Sequence, residues 1–173
     1  MVNNMNYRKI ISKFGKANLL HRINLQKISI KNGLYLGQLP ILEYIIQNDG
    51  CTQKEISEFM CVSPPSIATS VKRMENSGLI DRNQDKSDQR LNRLTITDKG
   101  TNVAKKCRKL FDEVDSKLFN GMSKDECDFF ERCLEKMINN LNNDEKNKNT
   151  MFSLIEQSKK LQSAKLDEEG EKC

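Results

Sequence analysis

The residues best suited to chemistry in this chain lie between Ser63 and Gly100, and the chemistry they suit is hydrogen bonding to a polyanion. In the run SPPSIATSVKRMENSG, a helical period puts Ile67, Val71 and Met74 on one buried stripe. Pro65, Ser66, Thr69, Lys72 and Arg73 then fall on the opposite face, with Ser70 beside them. Small hydroxyl residues let a helix approach base edges closely, while Lys and Arg reach phosphates or guanine. Arg90 sits in the charged stretch DKSDQR, where a guanidinium suits the negative potential of a narrow A·T-rich minor groove. Arg93 follows it as a further cation. Such a helix face, taken alone, is as often an ordinary solvated surface as a binding surface.

The neighbouring elements decide between the two readings. Thr52 followed by Glu55 is a capping box that starts a helix running to about Met60, with Ile56 and Met60 on its inner side. Cys61 and Val62 make a turn, Ser63 caps the next helix, and Pro64 occupies a first helical position where its missing N–H has no partner to lose. Gly78 is placed to end that helix in a left-handed conformation. Two short strand-like runs, 79–83 and 92–97, flank a wholly polar segment and predict an antiparallel ribbon with Leu94 and Ile96 on one face and Arg93 and Thr95 on the other. The expected unit is a winged helix-turn-helix, with the helix pair over about 53–76 and the wing over about 79–97.

SPPSIATSVKRMENSGLIDR followed by DKSDQRLNRLTITDKG resembles the MarR family of bacterial transcriptional regulators. The second piece is similar to the family's wing pattern through Asp85, Asp88, Arg90, Leu94, Thr95 or Thr97, and Gly100. The likeness extends from GLYLGQLPILEYIIQNDG to about Leu141, and departs from the family at Lys86, where Pro is common, and at Tyr35, where Thr is. The resemblance implies a homodimer that binds duplex DNA, with Arg90 in the minor groove and Asp88 as the acid that steadies the wing. It also implies a repressor released by a small aromatic effector bound between the dimerisation helices and the winged domain. Phe14, His21 and Tyr35 are the residues near such a cleft that the sequence suggests, without assigning any of them.

Composition narrows the alternatives. The 173 residues suffice for one domain with its own core, and the net charge of +5 is modest for a nucleic-acid binder. Residues 1–50 hold seven cations and two acids, residues 51–100 eight and seven, and residues 101–173 fourteen and fifteen. Binding must therefore rest on the placement of individual cations rather than on bulk charge. No apolar run approaches the ~18 residues that span a bilayer, and MVNNMNYRKI has no apolar signal core, so the protein is expected in the cytoplasm and away from membranes. Six cysteines without a CxxC pair and a single His argue for free thiols and against a metal site. No phosphate-cradling glycine loop, nucleophile–base pair or other cofactor motif is present, so neither an enzyme nor a cofactor is expected.

The flanks read as helices. Tyr7, Ile10, Phe14, Ala17 and His21 make a stripe on a helix over about 6–28. A second helix from about Gly37 to Gln47 faces Leu39, Leu42, Ile45 and Ile46 inward. After the wing, Thr97 caps a long helix striped by Val103, Cys107, Leu110, Phe111, Val114 and Leu118. Ser123 and Glu126 cap another, striped by Cys127, Phe130, Leu134, Met137, Ile138 and Leu141. The fold class expected is mainly α with a small β-wing, over residues 1–142. Its helices at about 6–28 and 98–141 carry more apolar surface than one winged unit can bury, which points to a dimer interface. Residues 143–173 read as a polar linker and a tail that holds one peripheral helix. Two alternatives accompany this reading. One is a thiol-based redox sensor of the same fold, with Cys61 in the turn near a helix start. The other is a winged module that binds protein rather than DNA.

Overall fold

A computed structural model describes residues 6–85 and 87–142, together with 154, 155, 157 and 158, which are helical. The expected linker and the rest of the tail lie outside the described residues. In order, the elements are α1 (Tyr7–Lys31), α2 (Gln38–Gln47), α3 (Gln53–Met60), α4 (Pro64–Asn76), β1 (Ile80–Gln84), β2 (Asn92–Ile96), α5 (Asp98–Leu118) and α6 (Lys124–Leu141). The chain is thus mainly helical with one small antiparallel sheet, a winged helix-turn-helix carried between longer helices.

The local signals account for most element ends. The Thr52 hydroxyl accepts the amide of Glu55, whose carboxylate takes the Thr52 N–H at 2.6 Å, so both halves of the capping box are made. Ser123 and Glu126 do the same for α6. Ser63 caps α4 differently from expectation. Pro64 and Pro65 fill the first two helical positions and offer no N–H, the Ser66 amide goes to the Ser63 carbonyl, and the Ser63 hydroxyl pairs with that of Ser66 at 2.9 Å. Gly78 has φ +67 and closes α4, as its left-handed role predicts. α1 runs three residues past the expected end, to Lys31, because Asn32 caps it through its amide and side chain onto the Ile28 carbonyl.

The core is gathered around α2, α3, α4, the wing and the middle of α5. Leu42, Ile45, Ile56, Val71, Leu94 and Cys107 are all fully buried in it. Ile46 departs from its expected place. It is exposed, and Ile41 is buried instead, because the inner face of α2 is rotated toward the positions of Leu39, Leu42 and Ile45. The stripes of α1 and α6 are not buried within the chain: Phe14 and Ile10 are exposed, as are Ile138 and Leu141, and no residue of α6 is buried.

β1 and β2 pair with Ile80 opposite Ile96 and Arg82 opposite Leu94. The ribbon approaches α5 closely at Gly100. The Leu79 carbonyl accepts the Thr97 N–H at 3.1 Å and lies against Gly100, where an added Cβ would sit 2.0 Å from that oxygen. The Thr97 hydroxyl takes the Gly100 amide at 2.9 Å, so the start of α5 and the end of α4 converge on one buried glycine. Gly100→Ala should therefore separate the wing from α5 at a cost of about 1–3 kcal/mol, as overpacking does in tight cores. Denaturant unfolding checks this, and an unchanged midpoint would show that the contact yields freely.

Candidate nucleic-acid interface

α4 buries Ile67, Val71 and Met74, each no more than 1% exposed, and this fixes which face points outward. Pro65, Ser66, Thr69, Lys72 and Arg73 are all exposed on that outer face. Ser70 is only half-buried at its margin, and its carbonyl is engaged by Gln38. The Thr69 hydroxyl donates to the Pro65 carbonyl at 2.9 Å, which leaves its oxygen as an acceptor toward solvent. Among the described residues, no carboxylate lies within ion-pair distance of Lys72, Arg73 or Arg90.

The turn before α4 is a left-handed one made by Cys61, with φ +48. Cys61 sits at the C-terminal end of α3, and its thiol donates to the Glu58 carbonyl at 3.6 Å. The thiol is thus hydrogen-bonded to the end of α3, within the turn that leads to the α4 cap at Ser63. Burial pushes the Cys51 thiol up to about 11, with the Glu55 carboxylate adding to the effect, and burial raises Cys107 as well. The five cysteines among the described residues are free.

The wing is braced differently from expectation. Asp85, not Asp88, makes the ion pair: its Oδ2 accepts Nε of Arg93 at 2.6 Å, and Arg93 also donates to the Gly50 carbonyl at 3.3 Å. Asp88 caps the tip turn instead, accepting the Arg90 amide at 3.0 Å. Asp85 Oδ1 gathers the Ser87 hydroxyl, the Ser87 amide and the Asp88 amide, the arrangement of an Asx turn. Arg93, expected among the DNA contacts, is therefore turned back onto the protein. Its guanidinium ties the ribbon to the loop between α2 and α3. Of Arg90 and Arg93, only Arg90 is left free at the exposed tip.

Gln38 is a second residue that sequence reasoning missed. It is buried between the α1–α2 turn and α4, and only its polar side chain at an otherwise apolar position signalled it. Of the residues suggested near an effector cleft, His21 is paired with Asp115 of α5 at 2.6 Å, Phe14 is exposed on α1, and Tyr35 lies beside α4. None of the three lines the open cavity of about 620 Å³ between α2 and α5, which Ile46, Ala104 and the Glu43–Arg108 ion pair border. Among the described residues no group of His, Cys, Asp or Glu is arranged to hold a metal ion, and no helix is long and apolar enough to cross a membrane.

The fold and its outer face define a winged helix-turn-helix regulator. Comparison with known proteins makes the assignment specific. The model of the MarR family matches residues 34–91, the whole of α2 through the wing tip. The HTH-type transcriptional regulator BilQ of Clostridium symbiosum (strain WAL-14163) is 32% identical over 96 residues, which is 56% of this chain and 67% of BilQ. In fold, the chain is similar to the YusO protein from Bacillus subtilis, with a TM-score of 0.67 at 19% identity over 77% of this chain and 94% of YusO. It is equally similar to the PcaV transcriptional regulator from Streptomyces coelicolor, with a TM-score of 0.67 at 19% identity over 74% and 93% of the two chains. The chain belongs to the MarR family and is a transcriptional regulator.

The Asp85 brace has a pH signature. Hydrogen bonds from the Ser87 hydroxyl first, then from Arg93 and the two amides, hold its carboxyl well below the usual carboxylate range. A depressed folded-state value means that the ionised brace stabilises the fold above the unfolded value, about pH 4, and that this is lost as the pH falls further. The gap in unfolding free energy between wild type and Asp85→Asn should be constant from about pH 8 to pH 5 and shrink below about pH 4. A gap that stays constant down the whole acid limb would remove the Asp85 carboxylate from the brace.

Proposed function

We propose that the protein is a homodimeric repressor that reads an imperfectly palindromic operator in duplex DNA and is released from it by a small aromatic effector. The observation that carries the DNA reading is the outer face of α4, where Pro65, Ser66, Thr69, Lys72 and Arg73 stand exposed over a fully buried stripe. Small residues toward the helix start allow close approach to base edges, and the two cations flank them where phosphates run. Arg90, exposed at the tip of a wing braced by Asp85 and Arg93, is placed to enter the adjacent minor groove. Asp88 contributes by shaping the turn that presents it.

The dimer is supported by apolar surface that the protomer leaves uncovered. Tyr7, Ile10, Ile11 and Phe14 on α1 and Phe129, Ile138 and Leu141 on α6 are all exposed, far more than isolated surface residues explain. Two α4 helices related by a two-fold axis would read half-sites roughly 34–36 Å apart. The cavity between α2 and α5 supports the effector reading. α2 belongs to the winged unit and α5 leads toward α6, so a ligand seated between them favours one spacing of the two reading helices over another. A dimer on its operator excludes other proteins from that DNA, which is the simplest route to repression.

Selection of bound duplexes from a random pool, at two salt concentrations and under reducing conditions, tests this reading. The expected product is a palindrome whose binding weakens steeply with salt, and Arg90→Ala should bind it at least several-fold more weakly with an unchanged fold. No enriched sequence at either salt would overturn the DNA reading. Phe14→Asp should shift the sedimenting species from dimer to monomer and abolish operator binding with it, whereas a wild-type monomer that still binds would remove the dimer from the mechanism. Small phenols that weaken operator binding in proportion to occupancy of the α2–α5 cavity are the expected effectors.

A further inference from the structure

The turn between α1 and α2 is fastened to α4 by one buried side chain. Gln38, 3% exposed, accepts the Tyr35 N–H through Oε1 at 2.8 Å and donates through Nε2 to the Ser70 carbonyl at 3.4 Å. The fastening holds Tyr35 beside α4, where the Arg73 guanidinium lies over its ring, 4.6 Å from the centroid. Both side chains are solvent-exposed, Tyr35 by 58%, so neither is there to fill the core. A guanidinium stacked on an aromatic ring uses its flat face, while its five N–H donors lie in the plane and stay available. Arg73 also stands near the C-terminal end of α4, away from the N-terminal turns of a reading helix that meet base edges.

We propose that Tyr35 is a positioning residue that holds Arg73 as a phosphate grip on the flank of the DNA site. The proposal rests on the DNA-binding reading above and adds to it a division of labour. Ser66 and Thr69 face the bases, and the Tyr35–Arg73 stack fixes the helix to the backbone beside them. An unstacked arginine on an exposed helix gives up its rotamer freedom when it meets a phosphate. Here the aromatic ring restricts it beforehand, so the donor edge is already set when the DNA arrives.

Salt dependence of binding to the selected operator separates this role from others. A lost phosphate contact weakens binding to all sequences alike and lowers the slope of log K against log salt by about one. Arg73→Ala, Tyr35→Ala and Tyr35→Leu should each lower the slope in this way and leave the selected sequence unchanged, whereas Tyr35→Phe, which keeps the ring, should bind as wild type. Tyr35→Leu preserves apolar bulk, so a loss there cannot be ascribed to packing alone. A wild-type slope in Tyr35→Ala beside a reduced slope in Arg73→Ala would show that the arginine needs no ring and overturn the proposal. So would loss of preference at one base pair in Arg73→Ala, which would make it a base reader. Failure of the DNA reading itself is distinct, since the wild type would then select no operator at all.

Discussion

The wing depends on a backbone pair between the α2–α3 loop and the middle of β2. Leu94 donates its N–H to the Cys51 carbonyl at 2.8 Å and accepts the Gly50 N–H at 3.0 Å, so the loop acts as a short third strand. A two-stranded ribbon is marginal in water, and this third partner, with the fully buried Leu94 side chain behind it, anchors the ribbon to the helical body. Arg93 then extends from the same strand to Asp85 on one side and to the Gly50 carbonyl on the other. The loop, β2 and the tip are thereby one connected unit. At its other end the ribbon is held by the Leu79 carbonyl against Thr97 and Gly100. Fixed at both ends, the tip can present Arg90 at a defined distance from α4.

What could be read from the sequence divides along local and long-range physics. The capping boxes at Thr52 and Ser123, the stripe of α4 and the left-handed Gly78 are properties of a few adjacent residues, and each was legible. The outer face of α4 followed from the buried stripe, because a helix has only one opposite side. Contacts between segments distant in the chain were not legible. The Arg93–Gly50 bond joins residues 43 positions apart, and nothing in the spacing distinguished Asp85 from Asp88 as the partner of an arginine. The family pattern supplied both acids and assigned the steadying role to Asp88, whereas Asp85 makes the ion pair with Arg93. Gln38 and Tyr35 were hidden for the same reason, since their partners Ser70 and Arg73 lie more than thirty residues on. Ile46 was misplaced because four apolar residues at helical spacing on α2 leave the centre of the buried arc undetermined to within one position.

The junction between α5 and the winged unit has two kinds of contact that respond differently to change. Near the start of α5, Gly100 meets the backbone of Leu79, the residue before β1. Further along, Arg108 reaches Glu43 of α2 through two hydrogen bonds of 2.6 and 2.7 Å at a partly exposed site. The first is a tight backbone contact and the second a polar clasp that solvent can replace at small cost.

The modest charge of the winged segment is resolved by where its acids are used. Glu55 is held in the α3 capping box, Glu58 is paired with Lys54, Glu75 with Arg82, and Asp85 with Arg93. Asp88 takes the Arg90 amide, and Asp98 sits in the first turn of α5, where the positive end of the helix dipole favours it. Among the cations, Lys54, Arg82 and Arg93 are spent on those acids, and Lys99 donates to the Ser77 carbonyl at the end of α4. Lys72, Arg73 and Arg90 are the described cations of the segment left over, and all three are on the outer surface. At an ionic strength where charges more than about 10 Å apart scarcely feel each other, the nearest charges decide what a polyanion meets. The segment's count of eight cations against seven acids therefore understates its outer face, because all of those acids but Asp81 are engaged by neighbouring groups of the protein or by a helix start.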